Sequence, residues 1–171
     1  MSKRSAVCLL AVVVLGAVAN ASFASSKDEV RMVRLTDEVE ISAAPADVWL
    51  QMTSGASLIA WCPYWRSEAN AKVTIEKVGD VLEFNDEWGN TGRTVITFVE
   101  KDRELRMVHE PADGSYVCHA TLTLKAVGDD TVVSYVEQYT DESKPADASA
   151  TAVKMGEQMA ATLQALKRSI E

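Results

Sequence analysis

The fold of this chain is decided in residues 41–49, ISAAPADVW, where a strand passes into a helix. Pro45 favours the first turn of a helix, because the N–H that it lacks would have no partner there. Over residues 33–41, apolar and polar side chains alternate, and a period of two predicts a strand with one buried face. Residues 46–53 and 56–61 then predict two short helices.

The rest of the chain predicts a run of strands followed by one long helix. Turn residues around Gly79 and Gly114 separate segments that are rich in Thr, Val and Ile. In residues 148–170, apolar side chains recur at steps of three and four, which predicts a closing helix with one apolar stripe. Six strands are predicted between the short helices and this long helix, over residues 72–76, 81–86, 93–100, 105–109, 116–125 and 131–139.

This order of elements resembles the SRPBCC superfamily, also called START-like or Bet v 1-like. Within it, the chain is most similar to the Hsp90-ATPase-activator-homologue-like and polyketide cyclase/dehydrase-like branches. The resemblance covers residues 33–171. The motifs that carry it are residues 41–49, Trp61-Cys62-Pro63, Val78-Gly79-Asp80, Asp102-Arg103-Glu104-Leu105 and residues 163–171.

The resemblance implies an α+β helix-grip fold. A curved antiparallel sheet of seven strands would wrap the long C-terminal helix and enclose a cavity, with the two short helices after strand 1. Members of the superfamily mostly bind lipids, sterols, polyketides or other apolar molecules, while a few are enzymes and some assist chaperones. The fold alone therefore does not define an activity.

The first residues predict export. Lys3 and Arg4 precede a short uncharged, apolar run over residues 6–18, and Ala19-Asn20-Ala21 fits a signal-peptide cleavage site. We expect a signal peptide over residues 1–21, with cleavage after Ala24 as the alternative. A flexible segment over residues 22–32 and one domain over residues 33–171 would follow. The product would be periplasmic or secreted, with no stable membrane insertion after cleavage, because the apolar run is short for a membrane anchor.

The charge of the chain excludes one class of partner. Its formal net charge is −8, and such a surface repels nucleic-acid backbone. We therefore expect no nucleic-acid partner, while the resemblance implies a small apolar ligand. The sequence does not indicate whether the protein is a monomer or an oligomer.

The strand pattern predicts which side chains line a cavity. From Tyr116 to Leu124 the even-numbered residues are apolar and most odd-numbered ones are polar, so the even set should face inward. A four-residue loop over residues 111–114 would place Met107 opposite Cys118. A second loop over residues 127–130 would place Ala120 opposite Glu137. The predicted lining is Met107, His109, Tyr116, Cys118, Ala120, Leu122, Tyr135, Glu137 and Tyr139, with Met155 and Met159 across from them on the long helix.

Two polar members of this lining are candidates for chemistry. Glu137 is either a carboxylate that orients a ligand or, if a bulge shifts the register by one residue, a charge that faces solvent. His109 is either a pocket acid or base or a hydrogen-bonded residue at the rim. Met155 and Met159 are either an adaptable wall or plain core.

Aromatic and cysteine residues leave further alternatives open. The candidates for a gate over the cavity are Trp61, Tyr64, Trp65 and Trp88. Trp61 is better explained as a structural residue of the resembling family, which leaves Trp65 and Trp88 as the favoured gate. Cys62 and Cys118 either form a disulfide, as an oxidising compartment permits, or are two buried thiols. The chain has no CxxC, no Cys/His zinc spacing, and none of the GxSxG, P-loop, GxGxxG or HExxH motifs, so no metal or cofactor is expected.

Three kinds of function follow from these observations. The favoured one is a module that binds one small hydrophobic or amphipathic molecule. The second is an enzyme of the cyclase, dehydratase or hydrolase kind, which would use Glu137, His109 and a pocket tyrosine for proton transfer. The third is a protein-interaction module of the chaperone-activator kind, against which the predicted export counts.

Overall fold

A computed structural model describes residues 31–85, 89–114, 116–141 and 145–171. The predicted signal peptide, most of the predicted flexible segment and Trp88 lie outside the described residues. Residues 31 and 32, placed by the sequence in the flexible segment, belong to the first strand.

The described residues form one antiparallel sheet, two short helices and one long helix. The strand order in the sheet is β1-β6-β5-β4-β3-β2. The helices are α1 (Pro45–Thr53), α2 (Gly55–Trp61) and α3 (Pro145–Ile170), and short 3-10 turns cover Pro63–Trp65 and Asn70–Lys72. The strands are β1 (Arg31–Ile41), β2 (Val81–Asn85), β3 (Thr91–Glu100), β4 (Glu104–Pro111), β5 (Cys118–Val127) and β6 (Asp130–Asp141).

The α+β helix-grip prediction is confirmed, but with six strands in the described residues and not seven. The predicted strand over residues 72–76 is wrong. It starts inside a 3-10 turn, and its backbone bonds to the junction between α1 and α2, where Gly55 N donates to Val73 O over 2.7 Å. An added Cβ at Gly55 would lie 2.1 Å from Asn70 O, so only glycine permits this close approach. The one β-bridge that residues 72–76 form within the described chain pairs Thr74 with Ser54.

The register of the two central hairpins decides which side chains face inward. Between β5 and β6, Ala120 pairs with Glu137, as predicted, and Cys118 pairs with Tyr139. Between β4 and β5 the predicted register is wrong by two residues, because β4 continues to Pro111 and the connection is longer than four residues. His109 therefore pairs with Cys118. A shift of two residues leaves every side chain on the same face, so the inward set is unchanged.

Helix α3 covers the inner face of the sheet, where it contacts β1 and β6. It also contacts the short helices α1 and α2. Leu163 and Leu166 of α3 are fully buried in the same core as the inner-face residues of the strands. The end of α3 is tied to the end of β1, where Lys167 Nζ donates to Glu40 O over 2.7 Å. None of the helices in the described part of the chain is both long enough and apolar enough to cross a membrane.

A single buried amide joins the segment after α2 to the edge of the sheet. Asn70 is 1% exposed, and its Nδ2 donates to Trp65 O over 2.8 Å and to Glu83 O over 2.6 Å. Its Oδ1 accepts a hydrogen bond from Glu83 N over 2.9 Å. Edge strands expose unpaired backbone groups, and here one side chain occupies both groups of Glu83 on edge strand β2. Asn70 thus fixes the position of the Pro63–Trp65 turn beside the sheet.

We predict that Asn70→Ala lowers the free energy of unfolding by about 2 to 3 kcal/mol, because both backbone groups of Glu83 lose their partner. Urea denaturation followed by circular dichroism measures this. Asn85→Ala, at the exposed end of the same strand, is the matched control and should change stability by less than about 0.5 kcal/mol. Equal effects of the two substitutions would show that Asn70 does not hold the turn.

Candidate functional site

A cavity of about 60 Å³ lies between the inner face of the sheet and α3. Its walls are mainly apolar and aromatic, with a few polar groups among them, which is the usual composition of a small-molecule site. The structure places seven of the eleven predicted residues in its lining: His109, Tyr116, Cys118, Tyr135, Glu137, Met155 and Met159. Their contact with a ligand stays a prediction.

The other four predicted residues face inward but do not line the cavity. Met107, Ala120 and Leu122 are at most 2% exposed and pack within the core. Tyr139 is also buried, and its hydroxyl has no hydrogen-bond partner among the residues that the structure describes. Alternation along a strand identifies the inward face, but it does not tell which part of that face is left uncovered by the helices.

Glu137 and Tyr135 form a hydrogen-bonded pair at successive inward positions of β6, where Tyr135 is buried and Glu137 is half-buried. The Tyr135 hydroxyl donates to Glu137 Oε1 over 2.5 Å. No bulge interrupts the β5–β6 pairing, so the alternative in which Glu137 faces solvent is wrong. Burial raises the pKa of the Glu137 carboxyl, and the hydrogen bond from Tyr135 opposes this shift only in part. Burial also raises the pKa of Tyr135 well above its usual value, so the phenol keeps its proton at neutral pH.

His109 is held by a chain of hydrogen bonds that starts at Trp65. Trp65 Nε1 donates to Thr94 Oγ1 over 3.0 Å, and Thr94 Oγ1 lies 2.8 Å from His109 Nδ1. Burial lowers the pKa of His109 to about 4, so the ring is neutral at pH 7. The threonine hydroxyl accepts from the indole and keeps its own proton to donate. When Nδ1 accepts that proton, the ring proton of His109 lies on Nε2.

Trp65 forms part of the wall of the cavity, and its role as a gate stays a prediction. It is 3% exposed, and its ring meets that of Trp61 edge to face at a centroid distance of 6.1 Å. The His109 ring lies 6.1 Å from both Trp65 and Phe84. Such packing, together with the hydrogen bond to Thr94, holds the indole in place. The other predicted gate, Trp88, lies outside the described residues.

Three lining residues were not in the predicted set: Tyr64, Phe84 and Gln158. Phe84 could have been found, because it alternates with Leu82 on the buried face of β2. Gln158 is polar and therefore does not belong to the apolar stripe of α3, yet its Oε1 accepts a hydrogen bond from the Tyr64 hydroxyl over 3.2 Å. Gln158 Nε2 is buried without a partner in the described residues. The signal for Gln158 was its spacing of three residues from Met155, which puts both on neighbouring turns of the helix.

Cys62 and Cys118 are buried free thiols in the structure, which is the second of the two alternatives that the sequence left open. Burial raises the pKa of Cys62 to about 12, and it raises the pKa of Cys118 as well. A thiol with a raised pKa is a poor nucleophile and a poor metal ligand at neutral pH. Within the described ranges, no group of three or more His, Cys, Asp or Glu residues has a geometry suited to a metal ion.

The chain belongs to the family described as polyketide cyclase/dehydrase and lipid transport, whose sequence profile matches residues 32–171. This membership confirms the resemblance to the SRPBCC superfamily. None of the curated protein sequences compared with the chain matches it.

Solved structures share the fold at low sequence identity. A protein from Mesorhizobium loti is 16% identical with a TM-score of 0.63, and the match covers 80% of this chain and 95% of that one. Norcoclaurine synthase from Thalictrum flavum is 14% identical with a TM-score of 0.58, covering 84% and 96%. The Aha1 dimer from Colwellia psychrerythraea is 18% identical with a TM-score of 0.57, covering 81% and 96%. At these identities the likeness shows the fold alone.

We predict that His109 makes the protein less stable in acid. The unfolded imidazole has a pKa near 6.5, whereas the folded one has a pKa of about 4, so the unfolded state binds more protons between these values. The free energy of unfolding therefore falls as the pH drops through this window. At about 1.4 kcal/mol per pKa unit, the loss between pH 7 and pH 4 is about 2 to 3 kcal/mol.

Urea denaturation of wild type and His109→Gln, measured from pH 4 to pH 7, tests this. The stability of wild type relative to the variant should fall by that amount toward pH 4. Curves that stay parallel over the whole range would show that the imidazole is not buried in its neutral form.

Proposed function

We propose that this chain is an exported binding protein for one small apolar or amphipathic molecule, held between the sheet and α3. The observation that carries this proposal is the cavity itself, in which apolar walls surround His109 and the Tyr135–Glu137 pair. Buried polar groups cost free energy when they lack partners, and a plain core would avoid them. A neutral polar group on the ligand would bond to His109 Nε2 and Glu137 Oε2, which the hydrogen bonds to Thr94 and Tyr135 leave open.

The polar side chains of the cavity favour an uncharged polar group at the end of the ligand that contacts them. Among the described residues, His109 has a partner only at Nδ1, which leaves the Nε2 proton available as a donor. The Glu137 carboxyl accepts from Tyr135, and burial favours its neutral form. A hydroxyl or carbonyl group would bond to these residues without the cost of burying an ion.

The cavity must expand to take such a molecule. Ligand sites commonly measure roughly 300 to 1,000 Å³, and this cavity measures about 60 Å³. Met155 and Met159 form the wall on α3, and unbranched methionine side chains change conformation at low cost. These two residues would let α3 adapt to a ligand.

Export rests on the basic, apolar and small-residue pattern of the first 21 residues. Protein recovered from the medium or periplasm of its source cells should begin at Ser22 or Ser25 by N-terminal sequencing. Soluble cytoplasmic protein that retains Met1 would contradict this part of the proposal.

An enzyme is the second candidate function, because one cavity holds a carboxyl with a raised pKa and a neutral imidazole. A raised pKa is the direction that a carboxyl needs to act as a proton donor, and a neutral imidazole has a free lone pair to accept a proton, although its lowered pKa makes it a weak base. Turnover that Glu137→Gln abolishes, with binding of the same compound retained, would favour the enzyme over the binding protein.

We predict that a bulky side chain in the cavity blocks binding. Dansyl-labelled undecanoic acid should bind one to one with an increase in fluorescence, and Met159→Trp should weaken that binding at least tenfold. Val153→Trp is the matched control, because it adds the same ring to the exposed side of the same helix and should leave the affinity unchanged. Met155→Trp gives a second test if the first variant unfolds by circular dichroism. Equal affinities of folded wild-type, cavity and control proteins would contradict the proposal.

A further inference from the structure

A groove on the protein surface adjoins the cavity. It has a volume of about 440 Å³ and runs between the Pro63–Trp65 turn and α3. Tyr64 and Gln158 line both the groove and the cavity. The hydrogen bond between their side chains therefore lies in the partition between the two spaces.

Arg66 gives this groove a single positive charge. It is exposed and is the one charged residue among the described residues that line the groove. Arg93, Arg103 and Arg106 are each paired with a glutamate. Arg66 forms no ion pair within the described part of the chain, so its guanidinium is available to a ligand in a protein of net charge −8. A guanidinium binds a carboxylate through two parallel hydrogen bonds.

The distribution of charge also determines at which end of the combined space, cavity or groove, an anionic group would bind. The inner end of the cavity holds the Tyr135–Glu137 pair, where burial disfavours any ion and an ionised Glu137 would repel a negative group. The groove holds Arg66 at the exposed surface, where an anion keeps part of its hydration. An anionic group therefore belongs at the groove, and the apolar part of the same molecule belongs in the cavity.

We propose that the ligand is an amphipathic monocarboxylate that enters through this groove, with Tyr64 as the movable partition and Arg66 as the partner of the carboxylate. The proposal rests on the proposed function and adds the route, the orientation and the chemical class of the ligand. One guanidinium matches one negative charge, which favours a carboxylate over a doubly charged phosphate. When Tyr64 moves, groove and cavity together reach the usual size of a ligand site.

The first test compares dansyl-labelled undecanoic acid with its methyl ester. Wild type should bind the acid at least fivefold more tightly than the ester. Arg66→Gln should remove this preference by weakening the acid alone, and Arg66→Lys should restore part of it. Arg103→Gln is the control, because Arg103 pairs with Glu100 over 2.7 Å and lines neither the groove nor the cavity, and it should keep the wild-type preference.

The second test measures the rates of entry and exit. Tyr64→Phe keeps the ring but removes the hydroxyl that bonds to Gln158. Association and dissociation rates of the acid, measured by stopped-flow fluorescence, should both rise severalfold, while the dissociation constant changes less than twofold. Rates equal to those of wild type would show that Tyr64 is not the partition that the ligand passes.

The outcomes separate this inference from the proposed function. If acid and ester bind one to one with equal affinity, and Met159→Trp weakens both, the cavity binds ligands and the role of Arg66 is wrong. If neither compound binds wild type, the proposed function and this inference both fail.

Discussion

The buried amide of Asn70 fixes the part of the molecule on which the cavity depends. By bonding to Trp65 and to both backbone groups of Glu83, it joins the turn after α2 to the edge of the sheet. The position of the turn fixes the Trp65 indole, which reaches Thr94 and, through it, His109. Removing the amide would therefore loosen the turn, the aromatic wall and the imidazole together.

The polar side chains on the inner face of the sheet lower the stability of the fold. His109, Tyr135 and Glu137 occupy inward positions where apolar side chains would pack without a desolvation cost. The bond between Tyr135 and Glu137 and the bond between His109 and Thr94 offset part of this cost. Burial shifts each pKa in the direction that favours the neutral form of the group. Neutral polar groups in an apolar wall suit recognition of an uncharged group on an apolar molecule. In our proposal, the exposed Arg66 binds the charged group of an amphipathic ligand.

Local patterns predicted the parts of the fold that depend on neighbouring residues. The short β5–β6 turn fixed the pairing of Ala120 with Glu137, so the inward direction of Glu137 could be read from the sequence. The β4–β5 connection was longer than its turn residues suggested, and residues 72–76 bonded to helices that the pattern could not place beside them. The Tyr64–Gln158 bond joins residues 94 positions apart, and no periodicity reports such a contact.

The methionine methyl groups give the most direct test of ligand binding in the cavity. In protein labelled with ¹³C at these methyls, decanoic acid should shift the signals of Met155 and Met159 in a saturable, one-to-one titration. Met52, which is fully buried away from the cavity lining, and Met32, which is 68% exposed, should keep their positions. Unmoved signals of Met155 and Met159 at saturating acid, or an equal shift of Met32, would contradict a binding site between the sheet and α3.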